Sequence, residues 1–250
     1  MRINTNVGAL TASRNVFLNS MATEKSMGKL SSGLRISRAS DDAAGLSIAN
    51  TLRTQSRSLS QASANAEQGN AMLQIAESAA STVQRIVERQ KELVIQRANG
   101  TTDTNASTII TAELTALDAE KTRIVGQSNF MGTSVFGALT FQVSDAASTV
   151  AATLTFVPGA VTDITTADSA LVAVNTILGT VGRASNVLEY TTQNLKAAVV
   201  NVRAAESTIR DVDMAEEMAT FTKNNILTQA AQAMLSQANQ GSQSVLQLLR

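Results

Sequence analysis

The sequence predicts a mainly α-helical protein: a long antiparallel helical bundle or coiled-coil rod with paired N- and C-terminal helices and a small central β-hairpin element. One observation is a sustained heptad spacing of mostly apolar residues from residue 48 to residue 87, with a single polar member. Another is that Pro158 is the single proline in 250 residues, which leaves long segments free to stay helical. A third is that aromatic residues make up only 3% of the chain, so the core must be aliphatic.

The longest helix is predicted from Leu46 to Ala98. Its apolar positions alternate in steps of four and three, with Gln55 as the one polar member, and a second stripe gives the helix another buried side. At the standard rise such a helix is roughly 80 Å long, and Asn99-Gly100 is a strong stop signal. The two stripes are Ile48, Leu52, Gln55, Leu59, Ala62, Ala66, Gly69, Leu73, Ala76, Ala80, Val83 and Val87, and Met72, Ile75, Ala79, Ile86 and Leu93.

Two further helices and a pair of strands are predicted along the rest of the chain. A second helix is expected from about Thr108 to Ile124, with Ile110, Leu114, Leu117 and Ile124 on one face and with Gly126 at its end. The segments Leu139–Val143 and Thr153–Val157 alternate apolar with polar residues and predict two strands. Helical spacing then returns and predicts a third helix from Ala167 to about Ile209.

Both ends of the chain carry weak heptad patterns rich in Gln, Asn and Ser. Such helices are marginal alone, so we expect them to be disordered until they pack against partners of the same or a neighbouring subunit. Residues 1–40 have a net charge of +5 and residues 206–217 a net charge of −4, and we hypothesise that these opposite charges align the two ends. The predicted packing residues are Val7, Leu10, Phe17 and Met21, with Leu227, Ala231, Met234, Ala238, Val245 and Leu248.

The composition narrows the possible functions. Histidine and cysteine are both absent, which excludes Ser-His-Asp and Cys-His catalysis, imidazole or thiolate metal sites, and disulfides. Chemistry based on carboxylates alone or on lysine is left open. The net charge is zero, so nothing global points to nucleic acid or a membrane surface. No run of apolar residues predicts a cleaved signal peptide or a spanning helix. We therefore expect a chain that is not an enzyme, binds no metal or cofactor and does not insert into membranes.

The stretch LSSGLRISRASDDAAGLSI, residues 30–48, allows more than one interpretation. It could cradle an anion, bind a cation through Asp41 and Asp42, or turn the chain. The phosphate-loop pattern is missing and no further carboxylate lies nearby to complete an oxygen cage. The sequence therefore favours a turn between two helices.

We call this turn the elbow and assign roles to its residues. Gly33 is expected to end the first helix. Asp41 or Asp42 is expected to cap the next one before Gly45. The remaining predicted elbow residues are Arg35 and Arg38.

Two other motifs carry chemistry only in a particular context. Glu88–Glu92 is a run of charges that is by default a solvent-exposed face but could equally be a recognition patch. Asn99-Gly100-Thr101 and Asn105-Ala106-Ser107 satisfy the N-glycosylation pattern, which matters only if the chain meets that machinery.

Taken together, several segments resemble bacterial flagellin. They occur in the order typical of that family and leave only about residues 133–168 unmatched. They are INTN at residues 3–6, LSSGLRISRASDDAAGLSIA from residue 30, ELVIQRANGT from residue 92, GQSNFMG from residue 126, IRDVDMAEEMA from residue 209, and ILTQAAQAMLSQANQGSQSVLQLLR from residue 226.

The resemblance implies a structural subunit of the flagellar filament that is secreted by type III export and has no enzymatic activity. Its implied partners are further copies of itself, the filament cap, hook-junction proteins, an export chaperone and the export gate. It also implies an animal Toll-like receptor, whose recognition patch corresponds here to Arg89, Leu93 and Glu120. A hook–filament junction protein and an unrelated coiled-coil scaffold are the alternatives.

The resemblance also divides the chain. Residues 1–44 and 210–250 are expected to form the inner filament-core domain together with the elbow. Within the elbow, Arg35 and Arg38 are expected to face neighbouring chains. Residues 45–130 and 168–209 are expected to form the two halves of the rod domain. Residues 131–167 are expected to be a reduced, β-rich version of the family's variable region.

Overall fold

A computed structural model describes residues 6–144 and 148–248, with side chains as far as Gly241. The chain divides into two compact units. Unit 1 comprises the residues up to Thr54 together with those from Val202 onwards, and unit 2 comprises Gln55–Asn201. Asn4 and the other residues before Asn6 lie outside the described residues.

The described chain is mainly α-helical, as predicted. The helix predicted from about Thr108 to Ile124 begins four residues earlier, at Thr104, and continues through Gly126 to Gln127. The helices are α1 (Val7–Ser32), α2 (Ala43–Ala98), α3 (Thr104–Gln127), α4 (Ile164–Arg210) and α5 (Met214–Leu248), and the strands are β1 (Asn129–Phe130), β2 (Thr133–Ser134), β3 (Ala138–Gln142) and β4 (Thr149–Thr153).

In unit 2, α2 and α4 run antiparallel. The Ser185 hydroxyl donates to the side-chain oxygen of Asn70 at 2.7 Å, and Lys91 forms an ion pair with Asp168 at 2.6 Å. Residue numbers therefore decrease along α4 in the direction in which they increase along α2. From Leu59 to Val87 every position of the predicted heptad stripe is buried. The main core combines this stripe with Val174, Ile177, Val181, Ala184 and Leu188 of α4 and with side chains of the hairpins.

Each of the two predicted stripes contains one exposed residue, Ile48 in the heptad stripe and Ile75 in the second stripe. Ile48 is 53% exposed and Ile75 is 39% exposed. Near Ile48 the buried positions are Gly45, Ala49 and Ser56 instead. An α-helix has 3.6 residues per turn, so a strict seven-residue repeat drifts around it and leaves the buried face towards the ends of a long helix.

The β element consists of two antiparallel hairpins. Strand β3 agrees with the prediction and pairs with β4, with Leu139 opposite Ala152. The second strand was predicted at Thr153–Val157, but β4 is Thr149–Thr153. The alternating burial that indicated a strand continues past the end of β4 as far as Phe156. The hairpin of β1 and β2 was not predicted. Met131 and Gly132 turn it with φ of 51° and 84°, as a two-residue type I′ turn requires.

Gly69 lets the β3–β4 hairpin lie close to α2. A Cβ at this position would lie 2.8 Å from Cδ1 of Phe141 and 3.2 Å from Cδ1 of Leu188. A helix-interior glycine weakens a helix by about 1 kcal/mol relative to alanine, so close packing is what makes it useful here. The glycine therefore accommodates a phenylalanine ring on the helix surface.

A buried lysine joins α2, α3 and the segment before α4. Lys121 is 1% exposed, and its ammonium group donates to Asp118 and to the Gly159 carbonyl at 2.8 Å each and to Gln90 at 3.4 Å. An ammonium has three protons, so its hydrogen-bonding capacity is satisfied. The other carboxylate oxygen of Asp118 accepts from the Val161 amide.

This cluster corrects the simplest interpretation of the charge run Glu88–Glu92. Gln90 is 0% exposed, and it donates to Asp118 at 2.8 Å, so the run is not uniformly solvent-exposed. The same cluster lies beside a second small core formed by Leu93, Val94, Ile110, Leu114, Val161 and Ala167.

Among the helices of the described residues, α4 alone has the length and composition of a membrane span. An 18-residue window of α4 has a mean hydropathy of 1.3, and 22% of that window is buried inside the protein. The sequence expectation rested on uninterrupted apolar runs and missed this helix. In this structure its apolar positions Val174, Ile177 and Val181 lie in the core of unit 2.

We expect Gly69→Ala to destabilise the protein. The gain in helix propensity is about 1 kcal/mol, whereas overpacking against Phe141 typically costs ~1–3 kcal/mol, so the net loss should be of order 1 kcal/mol. The free energy of unfolding of the monomer, measured by chemical denaturation, tests this.

Gly179→Ala is the matched control, because a Cβ there meets nothing within 4 Å in the interior of α4. It should stabilise the monomer. Equal effects of the two substitutions would contradict the packing role of Gly69.

Candidate functional site: the terminal helices and their connectors

Helices α1 and α5 of unit 1 pack against each other in antiparallel fashion. The Asn6 side chain at the start of α1 donates to the Ala238 carbonyl at 2.9 Å. Near the other end of α1, the Lys29 ammonium lies 3.4 Å from the Glu217 carboxylate. The expected pairing of the N- and C-terminal helices is therefore present within a single chain.

The sides of these helices that lose solvent exposure are composed mainly of small and polar residues. The larger apolar members are Val16, Leu30, Phe221 and Leu235. Small residues allow two helix backbones to approach closely. The least exposed positions are Ala9, Ala12, Val16, Asn19, Ser20, Ala22, Thr23, Ser26, Lys29 and Leu30 on α1, and Glu217, Phe221, Asn224, Asn225, Thr228, Ala231, Leu235 and Ala238 on α5.

Most of the large apolar residues of α1 and α5 face solvent instead. Val7 and Leu10 are each 68% exposed, and Phe17 and Met234 are each 64% exposed. We call this set the terminal apolar stripes: Val7, Leu10, Phe17, Leu18, Met21 and Met27 on α1, and Met214, Met218, Ile226, Leu227 and Met234 on α5.

The stripes change the expected packing. Ala231 and Ala238 are half-buried on the paired face, but Val7, Leu10, Phe17, Met21, Leu227 and Met234 are not buried against one another within the chain. The side chains of Val245 and Leu248 lie outside the described ones. The heptad spacing indicated which residues share a face of each helix, but it did not indicate which face the partner helix covers.

The connectors at the inner ends of the terminal helices pair through their backbones. The Arg35 amide donates to the Arg210 carbonyl at 2.7 Å, and the Val212 amide donates to the Gly33 carbonyl at 3.1 Å. Leu34 and Asp211 form the antiparallel bridge between them. This pairing was not predicted, because neither connector has the length or alternation of a strand.

Gly33 ends α1 as predicted. Its φ is 70°, a left-handed conformation that glycine adopts readily. Its amide donates to the Lys29 carbonyl at 2.8 Å, which satisfies one of the carbonyls at the end of the helix.

Asp42, rather than Asp41, caps α2. The Asp42 side chain accepts from the Gly45 amide at 2.9 Å, and its carbonyl accepts from the Leu46 amide. A Cβ on Gly45 would overlap the Asp42 carboxylate and lie 2.8 Å from the buried side chain of Ile36. Gly45 therefore leaves room for both the capping carboxylate and the apolar side chain of the elbow.

Asp41 holds the elbow to α1. It lies 2.9 Å from the Lys25 ammonium and accepts from the Arg38 amide at 3.2 Å. The hydrogen bond from Lys25, followed by that from the Arg38 backbone, lowers the pKa of Asp41 from 3.8 to about 2. In the described part of the chain no group of three or more potential ligands could hold a metal ion.

The two elbow arginines are exposed. The Arg35 guanidinium donates to the Ile209 carbonyl at 2.6 Å within the same chain, so at least one of its nitrogens is engaged at the end of α4. That these arginines face neighbouring chains stays a prediction.

The expected receptor patch is not brought together as a single exposed surface. Arg89 is exposed and lies 3.0 Å from Glu92 and 3.4 Å from Glu113. Leu93 is 2% exposed in the second small core, and Glu120 pairs with Arg123.

Glu113 was missed because it is distant from Arg89 in sequence, and Lys121 was missed although it falls on the apolar spacing of Ile110, Leu114, Leu117 and Ile124.

Comparisons with known proteins agree on one family. The sequence model of the bacterial flagellin N-terminal helical region matches residues 3–140, and that of the C-terminal helical region matches residues 164–249.

Curated relatives extend this match over complete chains. The flagellin of Halalkalibacterium halodurans is 42% identical over 272 aligned residues, the flagellar filament 33 kDa core protein of Treponema phagedenis 38% over 287, and the flagellin of Bacillus subtilis 37% over 305. Each alignment covers the whole of both chains. The crystal structure of Bacillus cereus flagellin aligns with a TM-score of 0.41 and 21% identity, over 56% of this chain and 88% of that one.

We expect the contribution of Asp41 to stability to vanish in acid. Because its pKa is lower in the folded chain than its ordinary value, the stabilisation is complete above about pH 4 and is lost as the pH falls towards about 2. The difference in the free energy of unfolding between the wild type and Asp41→Asn should therefore be constant near neutrality and shrink over that window.

Asp42→Asn serves as the control, because asparagine caps a helix about as well as aspartate. A difference for Asp41→Asn that does not change down to about pH 2 would refute the ion pair as its source.

We expect Glu217→Lys to weaken the pairing of α1 with α5 by about 1 kcal/mol, the upper range for partly exposed pairs. Lys29 and Glu217 are 22% and 12% exposed, and reversal places two ammonium groups together. Increased protease cleavage of the terminal helices in the monomer would report this loss.

Glu216→Lys is the matched control, because the neighbouring Glu216 is exposed in the same helical turn. The double variant Lys29→Glu/Glu217→Lys should restore protection. Identical behaviour of Glu216→Lys and Glu217→Lys would show that charge alignment does not depend on this pair.

Proposed function

Because this chain belongs to the bacterial flagellin family and is a structural subunit of the flagellar filament, we propose that the terminal apolar stripes are the surfaces through which its copies join. The observation that supports this is the exposure of Phe17, Leu10 and Met234 on helices that already have an intrachain partner. Large exposed apolar patches usually mark interaction sites.

The energetic argument favours a polymer over a pair. Full burial of a Val, Leu, Phe or Met side chain contributes ~1.5–3 kcal/mol. About half of the surface of each of six stripe residues is still exposed and can be buried by another copy: Val7, Leu10, Phe17, Met21, Leu227 and Met234. The total, roughly 5–9 kcal/mol by this estimate, is comparable with the ~4–15 kcal/mol cost of association. One contact is therefore marginal, whereas a subunit that contacts several neighbours at once is stably held.

The geometry of such contacts determines the form of the assembly. A heterologous contact joins two different surfaces of identical subunits, so it generates an open helical filament when the rotation does not close into a ring. Filament growth then adds each new subunit to an existing end, where several contacts form together. We therefore expect purified monomers to add readily to seeds and to start new filaments slowly.

For the division of labour along the chain, we propose residues 1–44 and 210–250 as the filament-core domain. Residues 45–130 and 168–209 form the rod domain, and residues 131–167 the reduced variable region. The core of unit 2 supports a domain that folds without neighbours; it is mainly aliphatic but also contains Phe156, so the expectation of a purely aliphatic core was wrong.

The family also supports a set of partners. We propose that the chain is secreted through the flagellar export gate with a chaperone, passes the hook-junction proteins and folds beneath the filament cap in the extracellular flagellum. The relatives described above are flagellins or filament core proteins, which favours the filament subunit over the junction protein.

Receptor recognition and catalysis receive less support. A Toll-like receptor would meet Arg89 with Glu92 and Glu113, because Leu93 is buried. The family is a structural one, and we propose that the chain catalyses no reaction.

We expect Phe17→Ser combined with Met234→Ser to abolish seeded elongation. Both side chains are 64% exposed in the chain, so the substitution removes intersubunit burial with little effect on the monomer. Filament length after seeds are added to purified monomer, measured by negative-stain microscopy, tests the expectation.

Phe17→Leu is the control, because an apolar replacement retains most of the buried area and should still elongate. Circular dichroism should show the same helical content in all variants. Normal filaments from the serine double variant would overturn the proposed role of the stripes.

A further inference from the structure

The turn between α2 and α3 contains the single Asn-Gly pair of the sequence, Asn99-Gly100. Both residues are exposed and lie outside the flanking helices. Nothing in the filament contacts proposed above uses this turn. The chemistry of an asparagine followed by glycine gives it a separate significance.

The backbone holds Asn99 in a compact conformation. The Thr102 amide donates to the Asn99 carbonyl at 3.0 Å, which closes a four-residue turn. The Thr101 amide donates to the Asn99 side-chain oxygen at 3.4 Å. The side-chain carbonyl is thus folded back over the main chain beside Gly100, as in an Asx-turn.

The Gly100 nitrogen is open to reaction. Within the described residues its N–H has no hydrogen-bond partner, so no acceptor has to be replaced when that proton is lost. A Cβ at Gly100 would have no heavy atom within 4 Å, which shows that solvent and base can reach the peptide. The nucleophile and the carbonyl carbon are therefore adjacent, unblocked and exposed.

We propose that Asn99 is a site of spontaneous covalent modification by intramolecular deamidation. The Gly100 nitrogen loses its proton to solvent base and attacks Cγ of Asn99. The new C–N bond closes a five-membered succinimide, and the Cγ–Nδ2 bond breaks with release of ammonia. Water then opens the ring at either carbonyl and leaves aspartate or isoaspartate, so the net change is loss of ammonia and gain of water.

The local hydrogen bonds favour this step. Negative charge develops on the Asn99 side-chain oxygen during the attack, and the Thr101 N–H already points at that oxygen. A donor placed where charge develops stabilises the transition state. Glycine at the following position removes the steric hindrance that any Cβ would introduce.

Two asparagines of the preceding helix α2 lack this combination. Asn65 and Asn70 lie within α2, where the following amide is committed to a helical hydrogen bond. The Asn70 side-chain oxygen also accepts from Ser185 at 2.7 Å. These two residues are therefore internal standards for the reactivity of Asn99.

The modification changes the structure at the end of α2. A new carboxylate is placed among the free carbonyls of a helix C-terminus, where negative charge is unfavourable. Isoaspartate also adds a methylene to the main chain of the turn, which connects the segments that pack Leu93 against Ile110. Subunits in a long-lived assembly thus accumulate a mark of age at this turn.

The test is to incubate the purified chain in mildly alkaline buffer and follow its peptides by mass spectrometry. The peptide with Asn99 should gain the mass difference of amide to acid many-fold faster than peptides with Asn65 or Asn70, and part of the product should be isoaspartate. Equal rates at these asparagines, or no mass gain at Asn99, would overturn the proposal.

Gly100→Ala is a matched control, because the structure accommodates its methyl group without contact. It should slow the reaction at Asn99 several-fold while circular dichroism and thermal unfolding of the fresh protein stay unchanged. Asn99→Gln should abolish the mass gain at this peptide. An unchanged rate in Gly100→Ala would also overturn the proposal, and no result here depends on filament assembly.

Discussion

The pairing of α1 with α5 through their small and polar sides is the constraint on which the rest of unit 1 depends. Alanine, serine and asparagine side chains let the two backbones approach closely, with Asn6 and the Lys29–Glu217 pair holding the two ends of the contact. Since the paired faces are used in this way, Phe17, Leu10 and Met234 must point elsewhere. One choice of helix face therefore both keeps the terminal helices ordered and exposes the surface that copies share.

Much of the architecture was predictable because long helices repeat one signal many times. The stripe from Leu59 to Val87 is buried throughout, and the stop at Asn99-Gly100 coincides with the end of α2 at Ala98. The sequence predictions were wrong where an element is short, or where alternating burial extends beyond a strand. The alternation of Thr153–Val157 continues past the end of β4 at Thr153, and Met131-Gly132 turns a hairpin of only two residues per strand.

The candidate site was less predictable, because its decisive features are pairings across the sequence. Gly33 and Asp42 act on neighbouring residues, and their roles in ending and capping helices follow from local patterns. The bridge of Leu34 with Asp211 joins connectors that lie far apart in the chain, and no local pattern marks it. Lys121 left a usable signal, since a lysine on an apolar helical stripe has to find acceptors if it is buried.

The two units also differ in how their apolar residues are satisfied, which separates folding from assembly. In unit 2 the aliphatic side chains of α2 and α4 and those of the hairpins close on one another, so its core is complete in a single chain. In unit 1 the largest apolar side chains of α1 and α5 remain exposed after the helices have paired. Apolar surface that stays exposed in the folded chain can be buried only by contact with another molecule. Substitutions in the first core should therefore change the stability of the monomer, whereas substitutions in the terminal apolar stripes should change filament growth and leave that stability intact.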